Sequence, residues 1–383
     1  MSIDVIIDQA EVERRTIRKS DWVACNSAFI DCRTPGSDRK ENYAFIGAGV
    51  SQNASQVVNL TENHGFNTGA AGMPNGISNN LHLHFTAEVF INLGGTFRLR
   101  WGVDGKQGEY VSTDGDIVSI PTWIFRGFTN EGPDEAILYT VLGRDAPGGI
   151  IWGPSVLKEA ESYGLHLTAD NRLIDTVAGD VVPENVPLIT PMQQRYIDEL
   201  STYSVDELRT RVVQPGDRVY SRNALLCAAL PGGGAELSLA IGYGMTQDRR
   251  QVPRIHEPHS FNVAWIRAAA GEGLLRHRHD KTQALLVKSG RWEITLNGDP
   301  TTTVELGSSD SFSVPEGSWR EFRCVEGGDS GFGELLVING GDDRVYLDWA
   351  PEVVEAARRA DWMIDPNGYL APVGVMVTAT EDD

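Results

Sequence analysis

The stretch GISNNLHLHFTAEVFINLGG, residues 76–95, carries two histidines and a glutamate at positions of one parity: His82, His84 and Glu88. Residues two and four apart on a strand share a face. Two imidazoles and one carboxylate converging from one side can hold a divalent metal and leave half its coordination sphere open, so that a substrate and dioxygen can bind together. Imidazole is a neutral ligand that tolerates several first-row metals, and the carboxylate brings the charge that keeps a hard dication in place.

The same pattern returns 195 positions later, where His277-x-His279 falls on His82-x-His84. Upstream, ENYAFIGAGVSQN from Glu41 falls on ELSLAIGYGMTQD from Glu236, and Glu62, His64, Phe66 and Asn67 fall on Glu257, His259, Phe261 and Asn262. From Glu41 to Arg100 the two stretches share 15 identities. The offset then becomes 194, matching Pro121, Arg126 and Phe128 to Pro315, Arg320 and Phe322, and later 197, matching WGPSVLKEA from Trp152 to WAPEVVEAA from Trp349. The latter pair are short amphipathic patterns with proline in the first turn, so each copy reads as a β-rich body followed by one helix.

Alternation supports the strands. FRLRW (97–101) and WEITL (292–296) both put apolar residues at the same parity, which leaves Arg98 and Arg100 on a solvated outer face. Glycine supplies 41 of 383 residues without a period, as many short strands joined by tight turns would need. The expected organisation is a lead-in over 1–24, a first repeat over 25–180, a linker over 181–218, a second repeat over 219–375 and a tail over 376–383. The linker contains the helical pattern PMQQRYIDELSTYSVDELRTRV, with Tyr196, Ile197, Leu200, Tyr203 and Leu208 near one face.

The net charge of −20 disfavours nucleic acid and anionic lipid as partners. The longest apolar run, Ala224 to Leu230, is far too short to span a membrane. Cys25, Cys32, Cys227 and Cys324 form no C-x-x-C pair, and Asp4 and Asp8 interrupt any signal-like apolar stretch, so a cytoplasmic protein with free thiols is expected.

The first stretch resembles the first signature of the cupins, G-x5-H-x-H-x3-E-x6-G, at Gly76, His82, His84, Glu88 and Gly95. The second cupin signature is met at Gly115, Pro121 and Asn130, but Trp123 stands where the family has glycine and Arg126 where it has its last metal-binding histidine. The second copy keeps Gly271, His277, His279 and Gly290, with Gln283 for the glutamate and Arg320 for the histidine, a poorer metal set. Its wording AGEGLLRHRHDKTQAL (270–285) is similar to the H-R-H stretch of gentisate-type dioxygenases. The resemblance covers both copies and implies a bicupin: an all-β chain of two tandem double-stranded β-helix barrels, with a short helix after each and a helical linker between, as in quercetin dioxygenases and oxalate decarboxylases. It also implies a homo-oligomer.

The resulting expectation is a metal-dependent dioxygenase acting on a small acidic or phenolic compound in the N-terminal barrel. Iron is the first choice of metal, with manganese, nickel and zinc compatible with the same donors. Arg126 is a candidate to hold a substrate carboxylate, since arginine cannot ligate a metal. His64 is a candidate base or substitute ligand, set against simple packing in an E-x-H-x-F pattern that recurs as Glu257, His259 and Phe261. Trp123 and Arg320 are candidate pocket residues. Two alternatives stand beside this reading: a redox-neutral isomerase or lyase, and a non-catalytic binding protein.

Overall fold

The computed structural model describes residues 5–380, with side chains described up to residue 376. It divides into two compact units, Trp22–Gly216, here the first barrel, and Met1–Asp21 with Asp217–Asp383, here the second. Among the described residues no helix is long and apolar enough to cross a membrane.

In the first barrel the larger sheet has seven strands in the order Val212–Val213, Ile117–Ile120, Glu88–Asn92, Ala136–Gly143, Phe66–Met73, Glu41–Ile46 and Val58–Leu60. The smaller has five, in the order Ile150–Trp152, Ser78–His84, Arg126–Gly132, Thr96–Trp101 and Gly108–Ser112. All pairings are antiparallel except that between Glu41–Ile46 and Val58–Leu60. The second barrel repeats the plan with sheets of six and five strands. The expected alternation is present: Phe97, Leu99 and Trp101 are buried, as are Trp292, Ile294 and Leu296. Arg98 lies outside, paired with Glu109 and Glu131. Helices Pro154–Ser162 and Pro351–Arg359 follow the β-rich bodies, each with proline in its first turn.

The repeated I-G-x-G has a steric reason. Gly47 and Gly242 have φ of +71° and +65°, and a Cβ on Gly47 would stand 1.8 Å from Asn67 Oδ1. Only glycine adopts that backbone freely while leaving room for the asparagine.

The region over 181–218 forms two short helices, Gln194–Ile197 and Val205–Arg209, in place of one continuous helical pattern. Ser204 explains the break: its hydroxyl accepts from the backbone of Glu207, whose carboxylate accepts from the backbone of Ser204, a reciprocal cap that starts a new helix. Leu208 is buried in the first barrel's core, whereas Tyr196 is half exposed.

The segment ahead of each repeat supplies a strand to the other repeat's barrel. Val212–Val213 pairs with Ile117–Ile120 of the first barrel, and Thr16–Ile17 pairs with Ser311–Val314 of the second. Ahead of Thr16 the helix Gln9–Arg15, capped by Asp8, buries Val12 in the second barrel's core. Both backbone groups of Ile7 are held by the Asn297 side chain, at 2.9 and 2.7 Å. This segment is therefore part of the barrel's core.

A charge placed at Val12 would be buried without a partner. Val12→Asp is expected to destabilise the second barrel by roughly 3 kcal/mol or more. Limited proteolysis should then cut within residues 217–376 while 22–216 resists. Equal resistance of both regions would show that the N-terminal segment contributes nothing to the second barrel.

Candidate metal centre

His82 and His84 lie on strand Ser78–His84 of the five-stranded sheet, but Glu88 does not share their strand. The chain turns at residues 85–87, and Glu88 opens Glu88–Asn92 in the seven-stranded sheet. The three side chains therefore converge across the barrel interior from two sheets, instead of lining one strand face. Their ligating atoms all lie within 4.8 Å of one another, and all three residues are buried. His84 Nε2 is 3.5 Å from Glu88 Oε1.

Each ligand is held from behind. His82 Nδ1 is 2.6 Å from the Asn80 carbonyl, so it carries the proton and leaves Nε2 as the lone pair. Trp152, across the ladder from His82, packs its ring 5.4 Å from the imidazole. Burial, and then the charge of Arg126, push the His82 pKa well below 6.5, which keeps the imidazole neutral and able to ligate. Nδ1 of His84 is buried with no hydrogen-bond partner. A neutral imidazole pair beside a carboxylate, with one nitrogen left orphaned, is a donor set that suits a divalent transition metal.

Arg126 turns inward, as expected of the position, but its donors are spent on the protein. Nε and Nη2 close on Glu88 Oε2 at 3.0 and 2.7 Å, and Nη1 is 3.4 Å from the carbonyls of His82 and Ile124. No guanidinium edge is left to grip a substrate. Burial pushes the Glu88 carboxyl up, to about 8, and the guanidinium down, so each charge depends on the other. A dication at the remaining oxygen, Oε1, would favour the carboxylate further.

The three ligands open onto a cavity of about 80 Å³. At roughly 10–15 Å³ per water, this is room for about five to eight waters. Phe29, Asn42, Thr68, Asn79, Phe128 and Leu142 contribute to its walls. Tyr43 also lines it, its hydroxyl bonded to Glu41 and its pKa raised by burial and by that carboxylate. Among the described lining residues no lysine, arginine, aspartate or cysteine occurs, and Glu88 is the one acid.

Other expected site residues lie elsewhere. His64 is buried but belongs neither to the ligand cluster nor to the cavity lining. Its Nδ1 faces the Glu62 carbonyl at 2.7 Å, and its backbone N–H, with that of Gly65, donates to Asp145. His259 repeats this arrangement with Glu257, Ser260 and Asp342, as a structural motif of both barrels would. Trp123 is 45% exposed and packs against Phe85, flanking a surface groove with Ile151, Met192 and Tyr196 away from the ligands.

In the second barrel the guanidinium takes a different role. Arg320 Nη1 is 3.0 Å from His279 Nε2 and donates to Gln283 Oε1 at 3.3 Å, while its other nitrogens donate to the carbonyls of Pro315 and Ser318. Gln283 Nε2 donates to Asn339, which donates to Asn262. Burial, then the Arg320 charge, lower His277 to about 3, and burial brings Arg320 down to about 9. With glutamine for glutamate, this buried cation has no carboxylate beside it. His279 Nε2, the atom a metal would need, already meets a guanidinium.

Sequence reasoning missed Trp152 as the support of His82, although Trp349 sits equivalently against His277 and the two tryptophans match at offset 197. It also missed the cavity walls, which come from strands with no motif of their own.

No protein-family model and no curated protein matches this chain. Solved structures do match. The chain is similar to a vicilin from hazelnut, Corylus avellana, at 10% identity over 88% of each chain with a TM-score of 0.50. It is similar to a 7S globulin from Momordica charantia at 10% identity, over 93% of this chain and 94% of that one, with a TM-score of 0.52. A mutant oxalate decarboxylase from Bacillus subtilis aligns at 12% identity over 89% of this chain and 79% of its own, also with a TM-score of 0.52. Identities this low speak for the fold alone, and together with the two barrels described above they show a chain built as two tandem cupin domains.

Proposed function

We propose that this chain is a metal-dependent enzyme whose first barrel binds a small anionic oxygen-donor compound, and that it works as a dioxygenase. The observation that carries this reading is the three-ligand set His82, His84 and Glu88 opening onto a small cavity whose walls hold no acid or base beyond the ligands and the Glu41-bound Tyr43. Isomerisation or lysis by proton transfer needs a positioned side chain to give or take the proton, and this cavity presents none that is not already engaged. A divalent transition metal held by these three residues, with iron the first choice and manganese, nickel and zinc compatible, would supply Lewis acidity and a centre where dioxygen and substrate meet.

The protein's own part is positioning. Asn80 and Trp152 fix the His82 ring so that its lone pair faces Glu88 and His84. Arg126 pins Oε2 of Glu88, leaving Oε1 for the metal. The charges decide the substrate class: Glu88 and Arg126 cancel, so a dication leaves the site positive in a low-dielectric interior, and a bound anion restores balance. A cavity with room for about five to eight waters suits a small carboxylate better than a fused-ring phenol. The gentisate-type H-R-H wording lies in the second barrel, where Arg320 meets His279, and supports no role there for the first.

Purified protein should carry about one transition metal per chain, lost in His82→Ala and retained in His277→Ala, by elemental analysis. Turnover of its small-carboxylate substrate should stop under anaerobic conditions. Equal metal loss from His277→Ala would place the metal in the second barrel, and undiminished anaerobic turnover would make the reaction redox-neutral.

Arg126→His would add an imidazole where the guanidinium now lies and remove a positive charge beside the metal. Metal affinity should rise, by about tenfold or more, while activity falls because an open coordination position is closed. Competition against a chelator measures the first effect. Weaker metal binding in this variant would mean that Arg126 is needed to orient Glu88 and that no ligand can replace it.

A further inference from the structure

We propose that Asn79 is the polar anchor for the substrate in the first-barrel cavity, set in place by a buried Lys40–Asp31 ion pair that the second barrel lacks. The inference rests on the reading of this cavity as a metal-dependent site, and adds to it which residue takes the end of the anion remote from the metal.

Lys40 Nζ donates to both Asp31 oxygens, at 2.8 and 2.9 Å, and to Asn79 Oδ1 at 2.5 Å. Lys40 and Asp31 are at most 1% exposed. An ion pair buried this completely stabilises a fold no better than apolar packing of similar volume. The protein itself contains the apolar version: at offset 195 the same three positions are Leu226, Ala235 and Leu274, all packed in the second barrel's core. The cupin barrel therefore does not need these charges in order to fold.

Backbone geometry points Asn79 at the cavity. Across the ladder Arg126 faces His82 and Phe128 faces Asn79, so three steps on one strand oppose two on the other. This bulge at Asn80 and Leu81 reverses the side-chain alternation and brings Asn79 to the inner face with His82, despite their odd spacing. Asn79 accordingly lines the same cavity as the three ligands.

Lys40 also decides which way the amide points. An ammonium only donates, so the Asn79 oxygen must face it, and the NH₂ group turns away. That group meets no acceptor among the described residues, and Asn79 makes its one side-chain hydrogen bond through Oδ1. Thr68 Oγ1, buried and without a hydrogen-bond partner, lines the same cavity. A donor and a hydroxyl await oxygen atoms there. The ligand that fits is a small carboxylate carrying a second oxygen function, one end at the metal and the other taking the Asn79 N–H.

The test uses the full-length protein loaded with Co(II) and titrated with malonate, a small dicarboxylate, following the visible absorption of the metal. Asn79→Asp keeps an acceptor for Lys40 but replaces the donor with a repelling carboxylate. The triple variant Asp31→Leu, Lys40→Ala, Asn79→Leu copies the second barrel's residues, and Asp31→Leu with Lys40→Met keeps the amide but frees its orientation. Malonate affinity should fall by about tenfold or more in the first two and by a smaller factor in the third, with Co(II) stoichiometry unchanged in all. Affinity equal to wild type in both Asn79 variants, or no response of the wild-type protein to malonate, overturns the role of Asn79. Failure of the wild-type protein to take up Co(II) in a His82-dependent way overturns the reading of the metal site beneath it, and the anchor with it.

Discussion

Two nitrogens of Arg126 close on a single oxygen of Glu88 inside a barrel that shuts out water, and the rest of the first barrel's chemistry depends on that contact. An isolated carboxylate at this depth would be protonated, and an isolated guanidinium would cost several kcal/mol to bury. Together they keep a negative oxygen beside two neutral imidazoles. The pairing also gives Arg126, the residue that departs furthest from the cupin signature, a positioning role: it fixes the carboxylate, which is the only charged ligand available to a metal.

The internal duplication works as a natural control. Both barrels bury an arginine at the same position, both hold paired histidines, and both set a tryptophan against the first of them. Changing glutamate to glutamine removes the arginine's counter-ion, and Arg320 then turns to His279 and Gln283 in a chain of neutral hydrogen bonds. The same barrel loses the Asp31, Lys40 and Asn79 set to three apolar residues. The differences between the copies thus cluster around one interior, the one that retains a carboxylate and a cavity.

Much of this was legible in the sequence because it is local or repeated. Gly76, His82, His84, Glu88 and Gly95 announce the barrel, the 195-residue offset announces its duplication, and alternation in FRLRW and WEITL sorts inside from outside. What could not be read depends on the third dimension. Equal parity of His84 and Glu88 suggested one strand, but a turn at 85–87 places them in different sheets. Asn79 has the wrong parity for an interior residue until the bulge reverses it. The partner of Arg126 lies 38 residues away, and the strand Thr16–Ile17 joins a neighbour almost 300 residues further on, a pairing that no spacing in the sequence encodes.

The central claim is that the first barrel holds the metal while Arg126 stays on Glu88. A crystal structure of the metal-loaded protein, with data collected at the metal's absorption edge, tests it most directly. The expected result is one anomalous peak bounded by His82, His84 and Glu88 Oε1, with the guanidinium still on Oε2 and no peak at His277 and His279. A peak in the second barrel alone, or Arg126 released from Glu88 and reaching into the cavity, would contradict the account.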